Sequence, residues 1–277
     1  MVPDNGERIF QSTDSFIIPS GGLSDVGRHA IIAALEKPTI DKIIVITEYP
    51  ELLDLKNWEC NCSGGHTNPF NDADSLSRLE MVKIDTWKND QPELAKHFAG
   101  AVGVVSCLGH RQPGWKNTDL KKRGLVAHAG NKQVIAAMKE AKVQRAVVIS
   151  SIAINGDKSW PHWASKFMGC LFTTFQRSAA KDLIGMEAEY SESQLDYLFV
   201  RPVGIGEDVA PSGHYYLQQP GEKKSLDVTS GTMLDGEVGW NMAKIDVARF
   251  MVDEAIHPTL HRKSQTVGAK PSTPMSG

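Results

Sequence analysis

The chain has 277 residues, of which 41% are hydrophobic and 23% are charged, and its formal net charge is −3. This composition is sufficient for one α/β domain with a small appendage or for two modest domains, and the charge argues against nucleic acid or an anionic membrane as the main partner. Four cysteines in a chain of this length argue against a disulfide scaffold and favour a reducing compartment.

The apolar runs are too short to span a bilayer, and the polar residues 1–15 lack the apolar centre of a signal peptide. We therefore expect a cytoplasmic protein, or a protein of an organelle stroma or matrix from which a transit peptide was removed.

Short apolar segments alternate with segments of helical periodicity along the chain. The predicted strands are 15–19, 42–47, 80–85, 101–107, 145–151 and 196–202. The predicted helices are 25–36, 92–99, 131–143, 178–194 and 244–256. The strands are rich in β-branched residues without polar alternation, which indicates burial on both faces. The pattern therefore predicts an α/β fold with a doubly wound parallel sheet and right-handed crossovers.

Two segments interrupt the alternation. Residues 49–78 are long and polar, which predicts an insertion or a flap after the second strand. Residues 203–240 are rich in Gly, Pro and Ser, and in doubly wound sheets such material covers the mouth where ligands bind.

The segment FIIPSGGLSDVGRHA (16–30) joins the first strand to the first helix. Its glycines follow the spacing of a dinucleotide-binding loop, with Ser24 where the middle glycine is expected. Glycine permits a tight turn and close helix packing, and a helix N-terminus offers free N–H groups to a pyrophosphate. Because the loop follows a strand and opens a helix, it predicts dinucleotide binding rather than a ligand-free turn. The expected phosphate site comprises Gly21, Gly22, Ser24, Asp25, Val26, Gly27 and Arg28.

Two charged residues bear on the choice of cofactor. Glu48 closes the second strand, where an acidic residue accepts hydrogen bonds from the adenine ribose and favours NAD. Arg28 acts in the opposite direction, because a guanidinium at that place can meet the 2′-phosphate of NADP. The sequence predicts NAD(P) as cofactor and leaves NAD and NADP both open.

Five segments occur in order and at the expected separations: FIIPSGGLSDVGRH, VKIDTW, GVVSCLGH, GNKQVIAAMKEAKVQRAVVISSIA and SQLDYLFVRP. Together they resemble the atypical short-chain dehydrogenase/reductases of the NmrA-like, NAD(P)-binding Rossmann group. The resemblance covers residues 14 to about 205. It implies that Asp85 lies near adenine, that Ser106, Cys107, Leu108 and Gly109 line the ribose, that Ser150 and Ser151 lie near nicotinamide, and that Pro202 and Val203 pass beside its carboxamide.

The catalytic pattern of the larger family is altered. Short-chain dehydrogenases use Tyr-x-x-x-Lys on a helix, whereas here Arg177 occupies the tyrosine position before Lys181. Lys181 is nevertheless a candidate for catalysis and for cofactor binding, against the alternative of a solvated lysine. His162 and Lys166 form a second pair with the same spacing. No catalytic asparagine is evident before GNKQVI.

The covering segment supplies further candidates. GHYYL contains His214, Tyr215 and Tyr216, and Tyr216 is a candidate proton donor in place of the missing family tyrosine. With Lys181 and Ser151 it completes the predicted catalytic set. Packing of an irregular segment is the alternative interpretation.

A metal site is not predicted. Cys60, Cys62 and His66, with Asp72 or Asp74, resemble zinc ligands, but a second separated pair of ligands is missing. A loop with exposed thiols is the favoured interpretation.

The predicted organisation is a dinucleotide-binding domain over 14–205, with the flap at 49–78, and a small substrate-covering region over 206–277. The predicted function is an NAD(P)-dependent oxidoreductase that transfers hydride to or from a small organic substrate. The alternative is a non-catalytic NAD(P)-binding redox sensor or a regulatory or assembly partner. A sugar-nucleotide or isoprenoid-modifying relative would need a larger substrate domain.

Overall fold

An eight-stranded sheet forms the centre of the protein. Eight of the ten described strands belong to this sheet, and the other two, β7 and β9, lie outside it. In chain order the ten strands are β1 (Ser15–Pro19), β2 (Lys42–Thr47), β3 (Leu79–Lys83), β4 (Ala101–Ser106), β5 (Arg145–Ile149), β6 (Asp196–Pro202), β7 (Gly204–Ile205), β8 (Val228–Ser230), β9 (Asn241–Met242) and β10 (Lys263–Ala269). The computed structural model describes residues 15–19, 25–52, 73–89, 91–109, 124–154, 170, 174, 177–202, 204–205, 228–230 and 241–269.

The sheet has the order β3-β2-β1-β4-β5-β6-β10-β8. All pairs from β3 to β10 are parallel, and β8 lies antiparallel to β10 at the edge. Strands β7 and β9 form a separate two-stranded pair. The predicted doubly wound parallel α/β fold is confirmed.

Helices cover both faces of the sheet. They are α1 (Asp25–Leu35), α2 (Ala73–Ser77), α3 (Leu94–Phe98), α4 (Ala127–Ala141), α5 (Arg177–Glu192) and α6 (Lys244–Ile256), with a 3-10 turn at Pro50–Leu52. Strand β1 shows why its sequence is continuously apolar: Phe16 and Ile18 pack into the core that contains α1 and α6, whereas Ile17 packs into the core that contains α3, α4 and α5.

Helix α4 begins at Ala127, four positions before its predicted start at 131. Its first N–H groups have no partners within the helix, and the carboxylate of Asp182 on α5 accepts from Ala127 at 2.9 Å and from His128 at 3.1 Å. Because this cap comes from another helix, the residue at the N-cap position, Val126, does not predict where α4 begins.

Three described elements after β6, namely β8, α6 and β10, belong to the same sheet or its core. Helix α6 has the predicted bounds 244–256 and packs against α1, β4 and β5. Strand β10 was not predicted, because its first residues, Lys263 and Ser264, are exposed and polar. It pairs with β6 through the register Lys263↔Leu198 to Val267↔Pro202. The domain boundary near residue 205 stays a prediction.

At the amino edge of the sheet, the buried Arg145 joins β5, β6 and the end of α6. Its guanidinium donates to the carbonyl oxygens of Glu254 at 2.9–3.0 Å and of Leu260 at 3.0 Å. It also donates to the carboxylates of Asp196 at 3.1 Å and Glu254 at 3.2 Å. The guanidinium thus donates five hydrogen bonds to oxygen atoms, and such hydrogen bonding makes a buried charge tolerable.

Replacement of this guanidinium tests its contribution to stability. Arg145→Met should lower the free energy of unfolding by about 3–5 kcal/mol, because it leaves the buried carboxylate of Glu254 and the partly exposed carboxylate of Asp196 without this counter-charge. Lys42→Met is the matched control, since Lys42 pairs with Glu80 at the surface, with 49% of its side chain exposed. The control should cost no more than about 1 kcal/mol. Urea unfolding at pH 7 measures both, and equal losses would contradict the assignment.

Asp246 is a carboxyl group buried between α6 and the apolar core. It is 1% exposed, and neither oxygen has a hydrogen-bond partner among the described residues. Burial raises its pKa from 3.8 to about 7, a rise that Arg249 reduces and Glu36 adds to. Between these values the folded protein retains a proton that the unfolded chain releases. Stability therefore falls as the pH rises from about 4 to about 7.

Asp246→Asn should remove this pH dependence. At pH 3, where the wild-type carboxyl group holds its proton in both the folded and the unfolded state, the variant and the wild type should have similar free energies of unfolding. At pH 8 the variant should be more stable by on the order of 2–4 kcal/mol, because an amide has no charge to bury. Denaturant unfolding across this pH range measures the difference, and a gap that is the same at every pH would refute the explanation.

Candidate cofactor site

The chain changes direction across the sheet between β1 and β4. Strands β2 and β3 extend from β1 to one side, whereas β5 and β6 extend from β4 to the other. In open parallel sheets, ligands bind outside the carboxyl ends of the strands at such a switch point. The register aligns these ends: Pro19 lies opposite Ile46, Ser106 opposite Val148, and Ile149 opposite Val200.

Helix α1 begins beside the switch point. Asp25 is its first residue, Val26 is 8% exposed and packs in the core, Gly27 is buried, and Arg28 is half-buried. The N-terminus of this 11-residue helix carries the positive end of the helix dipole, which is the end that the predicted phosphate site requires. The predicted loop residues Gly21, Gly22 and Ser24 lie outside the described residues.

Glu48 follows β2 and is turned into the protein. It is 4% exposed, and its Oε1 accepts the backbone N–H of Trp87 at 2.8 Å. The carboxylate therefore holds the loop that follows β3, where Asp85 is exposed. A second tie joins that loop to α4, since the N–H of Gln91 donates to the Oε1 of Gln133 at 3.3 Å. The wall expected to face adenine is thus built from two neighbouring strands and fixed to a helix.

The end of β4 is fixed through a buried asparagine. The hydroxyls of Ser106 and Tyr190 both donate to the Oδ1 of Asn131, at 2.7 Å and 3.0 Å, and the amide of Asn131 donates to the carbonyl of Ala127 at 2.8 Å. Burial raises the pKa of Tyr190, so its hydroxyl keeps its proton. This network joins β4 to α4 and α5.

The residues after β4 divide into core and surface. Cys107 is 1% exposed and Leu108 is fully buried, so both side chains belong to the core. Gly109 is half-buried, and a Cβ added to it would meet no atom within 4 Å among the described residues. The prediction that Ser106, Cys107, Leu108 and Gly109 line the cofactor ribose stays a prediction, and the buried side chains of the first three limit such contacts to their backbone.

At the ends of β5 and β6, three buried polar side chains meet. The hydroxyl of Ser150 donates to the Oε1 of Glu187 at 2.6 Å, and Arg201 donates to both oxygens of Glu187, at 3.1 Å and 2.6 Å. Ser151 is half-buried, and its hydroxyl accepts the N–H of Ala153 at 3.2 Å. Pro202 ends β6 and is buried. Val203 lies outside the described residues.

Lys181 does not share the buried face of α5. Glu187 and Tyr190 lie on that face, whereas Lys181 is exposed and, six positions before Glu187, is turned away by about 120°. Arg177 begins α5 and is also exposed. The other named candidates, His162, Lys166, His214, Tyr215, Tyr216, Cys60, Cys62 and His66, lie outside the described residues.

Sequence reasoning assigned no role to Glu187, Arg201, Asn131, Tyr190 or Asp182. The sequence does contain one indication of the ion pair. Arg201 directly follows the strand segment DYLFV, and an arginine in a buried strand predicts a buried acidic partner. Glu187 lies one turn before Tyr190 on the apolar stripe of α5, where a charged residue also requires a partner.

Several solved structures share this fold. They include the oxidoreductase YlbE of Lactococcus lactis, a short-chain dehydrogenase/reductase of Veillonella parvula in complex with NADP, and ChuY, an anaerobillin reductase of Escherichia coli O157:H7. Their sequence identities are 15%, 14% and 14%, and their TM-scores are 0.58, 0.56 and 0.59. The alignments cover 93%, 95% and 94% of this chain and 92%, 100% and 99% of those chains. No protein with curated annotation matches the chain in sequence.

The sheet order and the helices on both faces are those of a Rossmann fold. Residues 66–258, more than half of the chain, match the model of the NAD(P)H-binding family, and the chain belongs to that family. The predicted family and Rossmann fold are thereby confirmed. The matched range begins after β2, so the role of the glycine loop stays a prediction.

The helices in the described part of the chain include none that is long and apolar enough to cross a membrane. Within the same residues, no group of three His, Cys, Asp or Glu side chains is arranged to hold a metal ion.

The thiols test the placement of Cys107. Burial raises the pKa of Cys107 to about 12, whereas Cys170 is exposed. Iodoacetamide at pH 8 should label Cys170 in the native protein and leave Cys107 unmodified, because alkylation requires an accessible thiolate. Peptide mass spectrometry measures both sites, and labelling in denaturant controls for detection. Equal labelling of the two residues in the native protein would show that Cys107 faces the ligand space instead of the core.

Proposed function

We propose that the chain is an NAD(P)-dependent oxidoreductase that transfers hydride between the cofactor and a carbonyl, enone or imine carbon of a small organic molecule. The observation that carries this proposal is the switch point between β1 and β4, with the N-terminus of α1 beside it. The nicotinamide ring supplies hydride chemistry when it is bound, and the protein orients the ring and excludes competing reactions.

The residues fit a dinucleotide that extends across the carboxyl edge. The pyrophosphate would lie at Asp25–Arg28 and the preceding glycine loop. The adenine half would lie towards Glu48 and Asp85, and the nicotinamide half towards Ser150, Ser151 and Pro202. Gly109 lies between these halves, and no atom of the described residues would lie within 4 Å of a Cβ added to it.

The exposure of two described candidates bears on the source of the proton. Ser151 is half-buried beside the end of β5, where the nicotinamide half is expected. Lys181 is exposed on α5, which favours Tyr216 of the covering segment or water as the donor that acts with Ser151. Lys181 remains a proposed catalytic and cofactor-binding residue, and its long side chain would have to reach the cofactor from the exposed face of α5.

A second candidate function is cofactor binding without turnover, as in a redox sensor or a regulatory or assembly partner. Two observations favour it: the exposed position of Lys181, and the engagement of the Ser150 hydroxyl with Glu187. The two functions differ in whether bound NAD(P)H is ever oxidised by a substrate.

The preference between cofactors depends on two opposing charges. The carboxylate of Glu48 is held at the end of β2, which disfavours a 2′-phosphate and supports NAD(H). Arg28, half-buried in the first turn of α1, supports NADP(H).

Titration with NADH and with NADPH tests the proposal. Saturating one of them to about 100 times its Kd should stabilise the protein by about 2.7 kcal/mol, or about 5–10 °C in Tm. Thermal unfolding and NAD(P)H fluorescence measure binding and identify the preferred cofactor. Adenosine is a control, because it lacks the pyrophosphate. The absence of a shift at millimolar cofactor would refute the proposal.

Turnover separates the two candidate functions. Carbonyl, enone and imine compounds should be screened for oxidation of the bound cofactor by loss of absorbance at the reduced nicotinamide band. An active compound supports the oxidoreductase. Tight binding without turnover across the screen favours the sensor or partner.

A further inference from the structure

The pair of Glu187 and Arg201 is a buried, bidentate ion pair. Their side chains are 6% and 8% exposed, and two parallel hydrogen bonds of 3.1 Å and 2.6 Å join the guanidinium to the carboxylate. This fork-to-fork geometry fixes the plane of the carboxylate as well as its position. Glu187 therefore presents Oε1 to Ser150 in one defined direction.

The pair connects three elements at the edge where the reactive half of the cofactor is proposed to bind. Glu187 belongs to α5 and Arg201 to β6, and Ser150 directly follows β5. The backbone N–H of Ser150 donates to the carbonyl of Val200 at 2.8 Å, so the turn is tied to β6 through its main chain and to α5 through its side chain.

Stability alone does not account for an ion pair at this place. Removal of two charges from water is costly, and well-packed apolar residues often replace a buried pair without loss of stability. The guanidinium of Arg145, at the opposite edge, closes the carbonyl groups at the end of a helix. By contrast, the carboxylate of Glu187 is directed to a strand-end serine on the ligand side of the sheet.

We propose that Glu187 is a positioning residue that, clamped by Arg201, sets the Ser150–Ser151 turn against the nicotinamide half of the cofactor. This inference rests on the proposed function. It requires that the pair matters for the nicotinamide half and not for the ADP-ribose half, because the adenine wall at Glu48 and the helix α1 lie on the other side of the switch point.

A comparison of whole and truncated cofactors tests this division. Isothermal titration should measure the Kd of NADH and of ADP-ribose for the wild type and for Glu187→Gln; if NADPH is preferred, NADPH and 2′-phospho-ADP-ribose replace them. The glutamine can still accept from Ser150 but loses the charge that Arg201 clamps. We expect the affinity for the dinucleotide to fall about tenfold, with the affinity for ADP-ribose unchanged.

A matched control uses the other bidentate pair of the described chain segments. Arg249 on α6 donates to both oxygens of Glu36, which follows α1, at 2.9 Å and 2.8 Å. Glu36→Gln removes the same charge at a distance from the strand ends. It should leave the ratio of the two Kd values unchanged, and an equal change of the ratio in both variants would overturn the inference.

A double variant separates positioning from stability. Glu187→Met leaves Arg201 buried without its counter-charge and should lower the Tm. The double variant Glu187→Met with Arg201→Met should recover most of the Tm, because the two apolar side chains can pack together, while its preference for the dinucleotide over ADP-ribose stays low.

The outcomes are distinct. Recovery of both Tm and dinucleotide preference in the double variant overturns the inference, since the pair would then be merely structural. Failure of the wild type to bind either ligand overturns the proposed function and with it the inference. Loss of ADP-ribose affinity in parallel with dinucleotide affinity also overturns the inference, because the effect would then not be confined to the nicotinamide half.

Discussion

The burial of β1 on both faces is the constraint on which the remaining structure depends. A strand with no solvent face needs a parallel neighbour on each edge and a helical layer on each side. Strands β2 and β4 supply the edges, and α1 with α6 and α3 with α4 and α5 supply the layers. Because the chain leaves β1 through α1 to β2 and only later returns to β4, the crevice between their ends follows directly from this arrangement.

Charged groups are buried at both ends of the parallel strands, the amino end and the carboxyl end, but their surroundings differ. At the amino edge, Arg145 is satisfied by main-chain carbonyls together with carboxylates, which seals the end of α6. At the carboxyl edge, Glu187 and Arg201 are paired through side chains and connect to Ser150. The first arrangement closes a helix end, whereas the second reaches the ligand-facing turn.

Much of the fold was predictable because it depends on local periodicity. The observed bounds of β1, β2, β6 and α6 equal the predicted bounds. Burial of a strand on both faces, or of a helix along one stripe, requires apolar residues at regular spacing, and this spacing can be recognised within one short segment. Strand β10 was missed because its first half is polar and its strand character comes from pairing with β6. The early start of α4 was missed because its cap, Asp182, is 55 positions away from Ala127.

The site was predictable in outline and less so in detail. The strand ends identify where a dinucleotide lies, but not which side chains face it. Ser106 and Glu48 occupy expected positions, yet both are engaged with protein partners, Asn131 and the N–H of Trp87. These hydrogen bonds join residues that are 25 and 39 positions apart in the chain, so patterns within one short segment do not predict them.

The position of β10 has a consequence for how the chain folds as it is synthesised. When β6 leaves the ribosome, its outer edge is unpaired, and the guanidinium of Arg145 has not yet met the carbonyls of Glu254 and Leu260. An apolar strand with an open edge is prone to pair with other chains. Cooperative closure of the sheet must wait until residues 263–269 have been made, so the outer edge of β6 stays open to such pairing during the interval between β6 and β10.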